Sequence, residues 1–330
     1  MLLPTPNLKM PSVSCVTVTV PATTANLGPG FDCIGAALTL YNQFKFTRLD
    51  SAKPELKITV TGAEAERVNT SADNLVYESF VKLYQHIGET PPSVEIEIDL
   101  GVPLARGLGS SATAIAGGLV GANLLAGSPL SQVEVMELAI AMEGHPDNVV
   151  PALLGGCRLA ATSLNDPQRP EPREEGWEIC EILWHSDVVP VVAIPDFELS
   201  TSEARRVLPN QYSRADAIFN TAHLGLLLRG LETGREDWLR AALQDRIHQP
   251  YRKALIPGYD AVREAAMAAG ALGMVISGAG PTLLALVRRE LCVSVEEAIA
   301  TTWQQEGIKA QVRSLQIDLH GASSSTEALP

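Results

Sequence analysis

Three short stretches of this chain carry residues suited to chemistry on a charged small molecule. In Pro103-Leu104-Ala105-Arg106-Gly107-Leu108-Gly109-Ser110-Ser111-Ala112, two glycines free the backbone and two serines open a helix. Unpaired N–H groups at a helix N-terminus, a positive dipole end and missing Cβ atoms make a cradle for phosphate. His145-Pro146-Asp147-Asn148 gathers hydrogen-bonding side chains where a helix ends; ordinary turn residues would look the same. Asn26 and Asp32 bracket Leu27-Gly28-Pro29-Gly30-Phe31. That segment reads either as a tight loop between strands or as two polar side chains pointing into a site.

Regular elements must hold these stretches in place. Val94, Ile96, Ile98 and Leu100 alternate with Glu95, Glu97 and Asp99, the period-2 pattern of a half-buried strand. The helix of small residues that follows stops at Gly127. Ser131 and Glu134 form a capping box at the start of the next helix. Glu137 lies one turn further in, where an acid needs solvent or a partner such as a metal. Upstream, residues 15–20 read as a strand ended by Pro21, residues 31–48 and 56–61 as strands, and residues 74–87 as an amphipathic helix.

Downstream, residues 155–162 return as a strand, and the proline-rich run 165–176 reads as the link between domains 1–165 and 166–330. A buried strand at 188–194 precedes helices in which Arg205 and Arg206 read as a solvated pair. Residues 274–287 read as strand, glycine turn, strand, the turn being either plain or a loop that closes over a ligand. The Ser-rich end, from about residue 317, reads as a disordered tail.

Whole-chain properties narrow the function. A length of 330 residues suits two domains, and strands followed by helices suggest α+β layers. A net charge of −13, with 25 basic against 38 acidic residues, argues against a nucleic-acid partner. A bound polyanion would depend on local backbone amides and a divalent cation. Five widely spaced cysteines point to reduced thiols, residues 1–13 lack the apolar run of a signal peptide, and no stretch reaches the length of a membrane span. These features lead to the expectation of a cytoplasmic protein.

The loop at 103–112 is not a Walker loop, since no lysine here follows a glycine. It also lacks the dinucleotide and G-x-S-x-G patterns. It resembles the signature loop of the superfamily that contains galactokinase, homoserine kinase, mevalonate kinase and phosphomevalonate kinase. Residues 21–32 resemble the first motif of the homoserine kinase branch, and Ser277-Gly278-Ala279-Gly280-Pro281-Thr282 resembles the third motif of the superfamily. His145-Pro146-Asp147-Asn148-Val149-Val150-Pro151-Ala152, Thr201-Ser202-Glu203-Ala204-Arg205 and the run 250–259 are similar to the homoserine kinase branch in particular.

The resemblance implies an α+β two-domain small-molecule kinase fold, with an N-terminal ribosomal-protein-S5-like domain and a C-terminal α+β sandwich domain. It implies transfer of the γ-phosphoryl group of ATP to the hydroxyl of L-homoserine, a step of threonine biosynthesis. On that resemblance ATP would lie against Pro103, Leu104, Ala105, Arg106, Gly107, Leu108, Gly109, Ser110, Ser111, Ala112 and Thr113, with Asn74 near the adenine. Mg²⁺ would sit on Ser111 and Glu137. The acceptor pocket would comprise Asn26, Asp32, His145, Asn148, Arg205, Arg252 and Thr282, the arginines taking the carboxylate and Asp32 the ammonium. Asn148 stands where mevalonate kinase and galactokinase relatives carry an aspartate proposed as base. Two readings follow: direct transfer of the hydroxyl proton to the γ-phosphate, or a base elsewhere, with Asp147 and His145 nearest. The alternatives within the superfamily are a kinase for a mevalonate-type substrate or sugar, and a decarboxylase; the resemblance leaves room for a homodimer.

Overall fold

The computed structural model describes residues 13–50, 55–62, 64–163 and 176–328. Its first half contains β1 (Val13–Ala25), β2 (Ile34–Arg48), β3 (Leu56–Gly62), α1 (Leu75–His86), β4 (Val94–Leu100), α2 (Ser110–Leu125), α3 (Gln132–Glu143), α4 (Pro146–Leu154), β5 (Cys157–Thr162) and β6 (Trp177–Ile182). The second half contains β7 (Val188–Pro195), α5 (Thr201–Arg206), α6 (Arg214–Thr233), α7 (Glu236–Ala242), α8 (Gln249–Arg252), α9 (Tyr259–Ala268), β8 (Gly273–Ile276), β9 (Leu283–Arg288), α10 (Cys292–Gln305) and β10 (Ala310–Ser314). Last comes β11 (Ser323–Ala328). Among the described residues no helix is long and apolar enough to cross a membrane.

The strands form two sheets. The first runs β11-β1-β2-β4-β3, with β5 on β2 and β6 on β5; the second runs β10-β7-β9-β8. In β4 the alternation works as expected: Val94, Ile96 and Ile98 are buried, while Glu95 and Glu97 pair with Lys57 and Lys45 on neighbouring strands. The small residues of α2 let it lie tight on that sheet, since a Cβ at Gly117 or Gly121 would stand 2.3 Å from the ring of Phe44 or Phe46. β7 is buried along its whole length because helices cover both faces of the second sheet. α9 and α10 pack on one face, and α6 and α7 pack on the other together with Leu27, Ile34 and Leu38 of the first half.

Two expectations about the first sheet need correction. β1 does not stop at Pro21; its pairing with β2 shifts register there and continues to Ala25, the disruption expected where proline cannot donate to the ladder. The first sheet also passes residue 165, because β6 pairs with β5, so the chain changes sheet between Ile182 and Val188. The proposed link at 165–176 falls, except for Gly176, outside the described residues.

The Ser-rich end is ordered. β11 pairs antiparallel with β1, Ile317 bridges to Leu38, and Asp318 accepts from Tyr41 Oη at 2.9 Å. Its serines face outward, so the strand depends on backbone pairing and shows no apolar alternation.

Candidate active site

A cleft of about 510 Å³ opens between the two halves, with the 103–112 loop on one wall. Asn42, buried on β2, sets where that loop leaves β4. Its Oδ1 accepts from Gly101 N and Val102 N at 2.9 and 2.8 Å, and its Nδ2 donates to Thr113 Oγ1 at 2.8 Å. The loop turns through left-handed backbone at Ala105, Gly107 and Gly109, with φ of +52°, +76° and +69°. It is also clamped: a Cβ at Gly107 would stand 2.3 Å from the Ser277 carbonyl oxygen, and one at Gly109 would stand 1.9 Å from Thr23 Oγ1. Gly109 caps α2 with no side chain, which leaves first-turn N–H groups free to meet an anion.

Ser111, in that first turn, donates to both carboxylate oxygens of Glu143, at 2.8 and 3.0 Å. Glu143 closes α3, just before Gly144 at φ +86°. Burial raises its pKa, against the Ser111 hydrogen bond and the nearby His145, which lower it. Glu137, the expected partner of Ser111, is exposed and does not line the cleft. The two acids are six positions apart, about 240° around a helix, so only one of them can face α2.

Beyond Gly144 the chain enters α4. His145 Nδ1 lies 2.6 Å from Asp147 Oδ1, and Asp147 is only 3% exposed. Burial opposes protonation of His145, but the Asp147 hydrogen bond, helped by the charges of Asp147, Glu143 and Asp32, outweighs it and raises the pKa. Asn148 Oδ1 accepts from Thr23 Oγ1 at 2.8 Å, which fixes which side of the amide faces the cleft.

The other end of the cleft is zwitterionic. Asn26 and Asp32 both hold left-handed backbone, which Asn and Asp tolerate. Asn26 Nδ2 donates to the Gly278 carbonyl at 2.8 Å, and its Oδ1 accepts from Asp32 N at 2.9 Å. Asp32 is gripped by both Nη atoms of Arg205, at 2.9 and 2.8 Å. Arg252, 2% exposed, donates from Nε to the Ala204 carbonyl and from Nη1 to the Gly278 carbonyl, each at 3.0 Å. Both guanidinium carbons lie over the Phe31 ring, 5.6 Å away for Arg205 and 5.1 Å for Arg252. Ligand atoms of Asp32, His145 and Asp147 converge within 4.8 Å, an anionic wall beside the two cations.

Known proteins resemble this chain over nearly its whole length. The GHMP kinases N-terminal domain family matches residues 74–156, and the GHMP kinases C-terminal family matches residues 227–305. A homoserine kinase of Microchaete diplosiphon is 73% identical over 96% of this chain and 100% of its own. One from Trichormus variabilis is 71% identical over 95% of this chain and 100% of its own. The chain belongs to the homoserine kinase family. The crystal structure of a homoserine kinase from Cytophaga hutchinsonii superposes with a TM-score of 0.82 at 28% identity, covering 98% of this chain and 100% of that one.

Seen as a homoserine kinase family cleft, the site sorts the residues singled out from the sequence. Asn26, Asp32, His145, Asn148, Arg205 and Arg252 line it together, as do Leu104, Ala105, Arg106, Gly107, Gly109, Ser110 and Ser111. Leu108, Ala112 and Thr113 are buried beneath the loop, and Pro103 faces a second cleft. Thr282 is wholly buried and does not line the cleft, its hydroxyl lacking a hydrogen-bond partner among the described residues.

Asn74 reaches the cleft wall, but its amide is engaged in capping α1: Oδ1 accepts from Val76 N at 2.9 Å and Nδ2 donates to the Asn69 carbonyl at 2.6 Å. Arg106 turns its guanidinium toward the second half, to the Pro195 and Asp196 carbonyls and Glu198. Glu143, Asn42, Thr23 and Ser277 were missed. Glu143 had a signal, standing immediately before the glycine that ends α3 and opens the His145–Asn148 turn.

Proposed function

We propose that this protein phosphorylates the side-chain hydroxyl of L-homoserine with ATP, giving O-phospho-L-homoserine for threonine biosynthesis. The observation that carries the reading is Arg252: a buried guanidinium in the cleft wall with no carboxylate within ion-pair distance among the described residues. It sits beside an Asp32–Arg205 pair that a substrate's ammonium and carboxylate can divide. A mevalonate-type acid or a sugar offers no ammonium for Asp32 and Asp147 to receive.

The first-turn amides of α2 and the loop backbone suit the phosphates of ATP. For the cation the donor set is all oxygen, a serine hydroxyl and a carboxylate already in contact, which fits Mg²⁺. Ser111 and Glu143 would hold it, and it would offset charge on the phosphate oxygens. In the transfer the substrate oxygen bonds to the γ-phosphorus, the bond to the bridging oxygen breaks and ADP leaves. Asn148 cannot take a proton and Asp147 is engaged by His145, which supports passage of the hydroxyl proton to a phosphoryl oxygen. Aligning these atoms is the larger part of such catalysis. Unpaired cysteines at 15, 33, 157, 180 and 292 support a reducing, cytoplasmic setting.

Coupled ADP release with L-homoserine, mevalonate and galactose tests the assignment. Turnover is expected with L-homoserine and Mg²⁺, with a phosphomonoester product seen by phosphorus NMR. Comparable turnover with mevalonate, or release of carbon dioxide, would reject it.

A further inference from the structure

Asp245 and His248 belong to no motif tied above to the reaction, yet both side chains are fully buried. Asp245 Oδ1 accepts from Ile247 N at 3.0 Å and Asn220 Nδ2 at 2.6 Å, and its Oδ2 accepts from His248 N at 2.8 Å and Gln249 N at 2.7 Å. These bonds wrap the start of α8, the short helix that ends at Arg252. Asn220 also donates to the Pro29 carbonyl at 3.2 Å, so the Asn26–Asp32 loop hangs on the same node.

His248 connects that node to the cleft. Its Nε2 lies 2.8 Å from the Gly28 carbonyl oxygen, and its Nδ1 lies 3.4 Å from Arg252 Nη1. A carbonyl only accepts and a guanidinium only donates, so one arrangement satisfies both contacts. Nε2–H donates to Gly28, and the bare Nδ1 accepts from Arg252. Burial lowers the histidine's pKa, which agrees with a single ring proton. The ring also stacks on Phe31, centroids 5.2 Å apart, on the ring that Arg252 overlies.

We propose that His248 is a positioning residue for substrate recognition, its Nδ1 fixing the rotation of the Arg252 guanidinium while Asp245 fixes the backbone that carries both. The proposal rests on the reading of Arg252 as a ligand for the homoserine carboxylate. Two substitutions separate the contacts. His248→Asn sets an amide oxygen near the Nδ1 position and cannot reach Gly28; His248→Gln carries an NH₂ toward Gly28 and places no acceptor at the Nδ1 position that faces Arg252.

For H248Q the KM for L-homoserine is expected to rise about tenfold or more while the KM for ATP stays within about twofold, with H248N closer to wild type. Equal homoserine KM values in the two variants, or an ATP KM rising in step, overturn the proposal. Ring ¹⁵N shifts of the wild-type protein give a reading that needs no variant to fold. Protonated Nε2, and bare Nδ1 that responds to added homoserine, are expected; a protonated Nδ1 overturns it. If wild-type protein transfers no phosphoryl group to L-homoserine, the functional assignment fails, and the ring shifts still decide the geometry.

Discussion

Glu143 holds a charge that two demands pull in opposite directions. Burial favours its neutral form, so its pKa is raised, whereas a metal needs it ionised. A carboxyl with a raised folded-state pKa contributes stability below its unfolded pKa and loses it as pH rises through the folded value. Glu143→Gln is neutral throughout, so without Mg²⁺ at neutral pH it should melt no lower than wild type, yet lose about 100-fold or more in turnover. Glu137→Gln should leave kinetics unchanged; the reverse pattern would return the metal to Glu137. In wild type the Mg²⁺ requirement should grow as pH falls toward the raised pKa, since protons then compete for the carboxylate.

At the acceptor end, Asp32→Asn keeps a residue that tolerates φ +58° and releases Arg205. 4-Hydroxybutanoate, with a carboxylate and no ammonium, should then bind about tenfold tighter than to wild type, while L-homoserine binds more weakly. Weaker binding of both ligands by calorimetry would mean that the released Arg205 is not available to a carboxylate.

Elements were legible in the sequence where the period was strong. The alternation in β4, the Ser131–Glu134 capping box and the fully apolar β7 all read directly, because each pattern has one physical cause. Glu137 misled because spacing along one helix says nothing about which face a second helix will meet; that is set by the packing of α2 against α3. Only the family resemblance put Arg205 and Arg252 in one pocket; spacing along the chain could not, since their meeting over Phe31 depends on α5 and α8 converging. β11 misled for another reason: an outward-facing strand at a sheet edge gains its place from backbone pairing, and serine-rich composition hides that. Removing residues 323–330 should therefore lower the melting temperature and speed amide exchange along β1, with the KM for ATP unchanged. A tail without structure would leave melting and exchange as they are.

At the scale of the molecule, the described residues begin and end in the first sheet while the second sheet is inserted between, and an apolar cluster spans both halves. The cleft is thus a seam whose walls are joined along one side by buried apolar packing. Arg106 pins the other side beside the phosphate loop. From the loop its Nε donates to the Pro195 carbonyl at 3.0 Å and its Nη2 to the Asp196 carbonyl at 3.1 Å, and it lies 3.1 Å from Glu198 and 3.5 Å from Glu64. Arg67 pairs with the same two glutamates, and Glu64 accepts from Leu104 N at 2.7 Å, so the pin also fixes the start of the loop. Arg106→Met strands several of these acceptors and should cost about 2–4 kcal/mol of stability. Because the pin sits at the phosphate end, the KM for ATP should rise more than that for L-homoserine. Chemical denaturation with steady-state kinetics on both substrates checks this; an unchanged ATP KM in a destabilised variant would make Arg106 a joint between the halves with no part in setting the loop.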